Sequence, residues 1–150
     1  MKNLLMVMSL LAFLLSACGT SSATSPRGGI EITIPFAHAA DAGKTTAAYM
    51  NIKNTGSEAD TLLSVSCDAA MMVQVMETKM KGDVMSMNSV PGIELPAGAA
   101  VELKPGGYHI MLMDLKQELR DGDTISVTLE FAKAGNVSLE IPIKALGSTP

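Results

Sequence analysis

From Ile30 onward the chain alternates apolar and polar residues in short runs, the spacing that puts side chains i and i+2 on one face of a strand. Ile30-Glu31-Ile32-Thr33-Ile34 alternates cleanly. Ala48, Met50 and Ile52 interleave with Tyr49, Asn51 and Lys53, and the run stops at Asn54-Thr55-Gly56. Ile125, Val127, Leu129 and Phe131 oppose Thr124, Ser126, Thr128 and Glu130, and Val137, Leu139, Ile141 and Ile143 oppose Ser138, Glu140, Pro142 and Lys144. Between the runs lie Lys81-Gly82-Asp83, Pro91-Gly92, Pro96-Ala97-Gly98, Pro105-Gly106-Gly107, Asp121-Gly122-Asp123 and Ala134-Gly135-Asn136. These supply the φ restriction or φ freedom of tight turns. No helical period lasts beyond a turn or two. The pattern therefore predicts an all-β single domain, two antiparallel sheets packed face to face with Greek-key connections and eight or nine strands. Pro142, on the polar face of the last run, predicts an edge position there.

The first residues follow a different rule. One positive charge at Lys2 precedes an apolar stretch from Leu4 to Leu15. That stretch falls short of the ~20 apolar residues a membrane-spanning helix needs and has the form of a secretion signal. Leu15-Ser16-Ala17-Cys18 resembles the lipobox of bacterial lipoproteins, whose cysteine becomes an acylated N-terminus. The expected organisation is a signal peptide over residues 1–17, a lipidated flexible tether over 18–29 and one domain over 30–146. The tether is rich in Ser, Thr and Gly without apolar periodicity. Such a chain is extracytoplasmic, periplasmic in a bacterium with two membranes, and held to a membrane through Cys18. Removing Lys2 with the leader leaves ten basic residues against fifteen acidic ones, which offers nothing to nucleic acid. With Cys18 acylated, Cys67 has no disulfide partner, so the fold must stand on packing, and Cys67 reads as a small buried hydrophobe.

Methionine changes the picture. The chain has 12, and Met71, Met72, Met76, Met80, Met85, Met87, Met111 and Met113 crowd one region, whereas aromatics make up only 3%. Methionine can fill core gaps where aromatics are scarce, and Met71, Met72 and Met113 are expected in that role. Met80, Met85 and Met87 flank the turn Lys81-Gly82-Asp83, where side chains are usually exposed and polar. Met85 and Met87 are two residues apart, as are His109 and Met111 just after Pro105-Gly106-Gly107, so each pair shares a strand face. Thioethers are soft, neutral donors. Together with an imidazole they suit Cu(I) better than Zn, Mg or Ca, and they escape the oxidation that disables thiolates outside the cytoplasm.

Three stretches carry a family resemblance: Ala47-Ala48-Tyr49-Met50-Asn51-Ile52-Lys53-Asn54-Thr55-Gly56, Gly82-Asp83-Val84-Met85-Ser86-Met87, and Leu103-Lys104-Pro105-Gly106-Gly107-Tyr108-His109-Ile110-Met111-Leu112-Met113-Asp114-Leu115. They resemble the periplasmic copper chaperones of the PCuAC type, over roughly Ile30 to Lys144. The resemblance implies a cupredoxin-like, Ig-like Greek-key β-sandwich that binds Cu(I) and supplies the copper centre of cytochrome c oxidase, directly or through another copper carrier. It also implies a ligand pattern of histidine, about ten residues, methionine, about twenty-one residues, then His-x-Met. Twenty-one residues separate Met87 from His109-Ile110-Met111, which matches. With ten residues between it and Met87 stands Met76, where the family has histidine. Either Met76 completes a metal site of three sulfurs and one imidazole with Met87, His109 and Met111, or it is a core side chain beside a three-donor or decayed site. His38, in Phe36-Ala37-His38-Ala39, is not a motif position and is expected to be exposed or hydrogen-bonded, with reach to the metal as the lesser alternative. The family's occasional His- and Met-rich tail has no counterpart in Ala145-Leu146-Gly147-Ser148-Thr149-Pro150.

No Ser-His-Asp or Cys-His spacing supports catalysis, and Glu77, Asp83 and Asp114 read as ordinary charges, so an enzyme is not expected. The competing functions are a metal-free lipoprotein scaffold or adhesion module on the same fold, and copper storage or tolerance.

Overall fold

The computed structural model describes residues 24–148; the leader and Cys18 lie outside the described residues. Every element among those residues is a strand: β1 (Thr24–Arg27), β2 (Ile30–His38), β3 (Thr46–Asn54), β4 (Asp60–Cys67), β5 (Ala70–Lys81), β6 (Val84–Ser89), β7 (Ile93–Leu95), β8 (Ala100–Leu103), β9 (Tyr108–Leu115), β10 (Thr124–Phe131) and β11 (Gly135–Lys144). The all-β fold read from the alternation is the observed one. β1, β7 and β8 are three or four residues long, too short for alternation to reveal, which is why eleven strands appear where eight or nine were expected.

Strand order is β6-β5-β9-β8-β3-β2-β11-β10-β4-β7, with β1 on β2. β11 and β2 run parallel and meet only at Ile143↔Ala37 and Lys144↔His38. This short join divides the ladder into a larger half, β1 to β3 with β8, β9, β5 and β6, and a smaller half of β11, β10, β4 and β7. Apolar faces of both halves supply one core: Ile32, Met50, Ile110 and Leu112 from the larger, Leu62, Leu129, Leu139 and Ile141 from the smaller. On β10 and β11 the alternation predicts the burial pattern residue by residue. The edge position expected from Pro142 is corrected: β11 lies between β10 and β2, and the proline is accommodated because it pairs with Thr124 on β10 while the join to β2 begins only at Ile143.

The alternation fails on β2, and the failure positions the site. Ile30 and Ile32 are buried, but Ile34 is 50% exposed at φ 51°, a left-handed conformation that β-branched residues rarely adopt. The register with β3 shifts between Thr33 and Phe36. Such a bulge inserts residues into one strand and reverses which parity faces inward. Beyond it Ala37, opposite Ala48, enters the core, and Phe36, opposite Tyr49, and His38 turn to the outer face.

The expectation that Met71, Met72 and Met113 fill the core is corrected. Met71 is 70% and Met72 52% exposed, and Met113 is only half-buried. Isoleucine, leucine and valine already fill the core. Met72 pairs with Met113 on the face opposite Val73 and Val75. Cys67 is a free, buried thiol, as expected, and burial pushes its pKa up.

Asp60 pins the smaller half. Its carboxylate accepts hydrogen bonds from the backbone N–H of Thr61 at 2.7 Å, Lys133 at 2.8 Å and Ala134 at 2.9 Å, tying β4 to the β10–β11 turn. Burial alone would raise its pKa, but the N–H donors of Ala134, Lys133 and Thr61 outweigh that and hold it below the ordinary carboxylate value. Asp60→Ala should cost about 2 kcal/mol, because the donors it serves lose their partner. The depressed pKa means that this stabilisation is present above the unfolded-chain value of about 3.9 and is lost as pH falls through the lower folded value. Urea unfolding at a series of pH values checks both points. The gap between parent and variant should close below about pH 4, and a gap independent of pH would contradict this role.

Candidate metal centre

Strand pairing gathers the motif residues on the outer face of the larger half. Met76 on β5 lies directly opposite His109 on β9, and Gln74 opposite Met111. Thr78 lies opposite Met87 across the β5–β6 hairpin, and Ala47 on β3 opposite Met111. Directly opposed residues share a face, with Cβ atoms about 4.5–5.5 Å apart. Met87, His109 and Met111 line one hollow of about 410 Å³, with His38, Ala47 and Tyr49 also in its wall. Met76 does not line it. That side chain stands half-buried on the next strand, within reach of His109 but outside the wall.

His109 is held by its own turn. Gly106, at φ 80°, lets Pro105-Gly106-Gly107 close tightly, and Gly107 N–H donates to the Lys104 carbonyl at 3.1 Å. The Gly107 carbonyl then sits 3.1 Å from His109 Nδ1 and also accepts the Thr78 N–H at 3.0 Å. Nδ1–H donation to that carbonyl fixes the tautomer and leaves the Nε2 lone pair free, the orientation that metal-ligating histidines commonly show. His109 is only 5% exposed, whereas Met87, on the edge strand β6, is 54% exposed. The hollow thus has a fixed imidazole at its base and an exposed thioether at its mouth.

The donor set decides what it can hold. No carboxylate lines the hollow, and among the described residues no group of three His, Cys, Asp or Glu side chains converges. Hard divalent cations lack carboxylate ligands here. Two thioethers and a neutral imidazole, with a third thioether on the adjacent strand, fit a soft monovalent ion.

Sequence reasoning missed two residues. His38, expected to be exposed or hydrogen-bonded, is half-buried, lines the same hollow, and has an Nδ1 that is buried without a hydrogen-bond partner. Thr78, 6% exposed and across from Met87, likewise has an unpartnered Oγ1. A buried polar atom left unsatisfied costs about 1–3 kcal/mol. No motif marks either residue. The signal for His38 is the β2 bulge, visible only in the backbone.

Residues 30–143 match the sequence profile of the LpqE-like lipoproteins. The chain belongs to the LpqE-like family. It is 38% identical over 117 residues to Lxx21020 of Leifsonia xyli subsp. xyli, a protein also named as a lipoprotein, covering 77% of this chain and 70% of that one. Among solved structures the LpqE-like chain resembles the copper-bound PCuAC domain from PmoF2, with a TM-score of 0.69 and 27% identity over 81% of this chain and 97% of that one. It also resembles Cu(I)-loaded DR1885 from Deinococcus radiodurans, with a TM-score of 0.60 and 28% identity over 75% of this chain and 78% of that one. The likeness to PCuAC-type copper chaperones read from the motifs therefore holds for the whole LpqE-like domain, and so does the cupredoxin-like fold.

Proposed function

We propose that this LpqE-like chain is an extracytoplasmic, lipid-anchored Cu(I) carrier, not an enzyme, holding copper through Met87, His109 and Met111 with Met76 as the fourth donor. The observation that supports it most is the convergence of the first three side chains on one carboxylate-free hollow, with the imidazole tautomer set by Gly107. Copper bound in two similar structures, the PmoF2 domain and DR1885, supports the same reading.

The arrangement suits transfer. Cu(I) exchanges ligands readily when a soft donor can approach, and Met87 on the exposed edge strand is the donor an incoming partner ligand would displace first. His109 and Met111, more deeply set, would let go last. The acceptor in this reading is the copper centre of cytochrome c oxidase or an intermediate copper carrier, as the PCuAC-type resemblance implies, and Cys18 carries the lipid that holds the carrier at the membrane.

Intact-mass analysis of the native protein, before and after Cu(I) loading under reducing conditions and desalting, tests the reading. The expected result is an acylated N-terminus at Cys18 and one retained copper per chain. Failure to retain copper would favour the metal-free scaffold, and an unmodified Cys18 would remove the anchor.

A further inference from the structure

We propose that His38 is a second imidazole ligand of copper in the Met87–His109–Met111 hollow, so that the chain binds Cu(II) through two histidines although Met76 stands where the PCuAC-type motif has histidine. The inference rests on the copper-carrier reading above.

Backbone, packing and an unmet polar atom point to it independently. The parity of Ile30 and Ile32 would carry His38 into the core; the bulge between Thr33 and Phe36 reverses that parity and delivers His38 to the face that carries His109 and Met111. The reversal holds Ile34 at φ 51°, and strain of this kind persists where surrounding structure over-determines it, most often around functional sites.

Across the sheet, His38 falls beside Ala47, one residue beyond the Ala37↔Ala48 pair, and Ala47 pairs with Met111. A methyl group is all that stands between two long side chains, so the imidazole and the thioether lean over the same space. Packing aims the ring. The Phe36 and Tyr49 rings stand 5.5 Å and 5.6 Å from it, at 79° and 72°.

The unmet atom is Nδ1, buried and without a partner. His109 differs, because its Nδ1 is satisfied by Gly107 and only its other nitrogen is free. A half-turn of the His38 ring about χ2 exchanges Nδ1 with a carbon, so its lone pair can face the hollow without moving the backbone. Cu(II) prefers nitrogen donors to thioethers, and a pair of imidazoles supplies what one histidine among sulfurs does not.

The test adds Cu(II) to the whole protein and to its His38→Phe variant and reads nitrogen hyperfine splitting by electron paramagnetic resonance, with affinities from chelator competition. The parent should show coupling to two nitrogens and His38→Phe to one. Cu(II) affinity should fall in the variant by at least about tenfold, and Cu(I) affinity by less. Ala47→Leu, which keeps both ligands but fills the gap between His38 and Met111, should also lose the second nitrogen. A one-nitrogen parent spectrum overturns the proposal. So does a two-nitrogen spectrum with parental Cu(II) affinity in His38→Phe or Ala47→Leu; if His109→Leu meanwhile loses copper, the carrier reading survives. A parent that binds neither oxidation state overturns both.

Discussion

Replacing His109 with leucine should weaken Cu(I) binding by about a hundredfold or more, roughly 2.7 kcal/mol, while the apo domain melts close to the parent. His109 is the motif imidazole, and the fold has already set its tautomer by the 3.1 Å contact from Nδ1 to the Gly107 carbonyl, so its removal takes away an oriented donor. Little stability should follow it. Leucine restores apolar contact at this buried position, and the Gly107 carbonyl keeps its hydrogen bond from the Thr78 N–H. The net loss is one neutral hydrogen bond, about 1 kcal/mol. Competition against a chromophoric Cu(I) chelator, alongside thermal unfolding of the apo protein, separates the two effects. A variant that binds as tightly as the parent would move the copper site elsewhere. One that loses copper only because it unfolds would show the loss first in its melting temperature.

How far the sequence reaches can be judged strand by strand. On β3, β10 and β11 alternation identifies the inward residues correctly, because each strand is half-buried and a one-residue slip would expose a whole row of isoleucine, leucine and valine. On β2 the same rule puts Ile34 inside and is wrong. The bulge is a backbone event, and nothing in Thr33-Ile34-Pro35-Phe36 compels a positive φ at isoleucine. The site shows the same division. His109 and Met111 were legible as a pair because residues i and i+2 share a strand face, and Met87 through the motif spacing although β5 separates its strand from β9, whereas His38 is remote in sequence and arrives only through the bulge. Met71 and Met72 misled for a compositional reason: few aromatics suggested a core in need of methionine, but aliphatic residues fill it and leave these thioethers at the surface.

Met76 is the position at which this chain departs from the PCuAC-type motif, and two substitutions there should act in opposite directions. Met76→Leu should lower Cu(I) affinity by about tenfold, since it removes a thioether beside His109 while nearly conserving volume, a change that usually costs less than ~1.5 kcal/mol of stability. Met76→His should raise Cu(II) affinity by about tenfold to a hundredfold and Cu(I) affinity by less, because it adds a nitrogen donor across the strand from His109. The pairing makes both plausible in geometry. Met76 does not line the hollow at rest, but an unbranched thioether has three rotatable bonds, and from a directly opposed Cβ it can swing its sulfur to an ion held on the neighbouring strand. If Met76 only packs, Met76→Leu leaves Cu(I) affinity unchanged, and Met76→His lowers the apo melting temperature by placing a polar ring in a half-buried slot without a partner. The same variant also probes His38. In a His38→Phe background, Met76→His should return the second nitrogen coupling to the Cu(II) spectrum, this time from β5 rather than β2. Unchanged Cu(I) affinity in Met76→Leu would instead leave Met87, His109 and Met111 as the donors that hold the cargo.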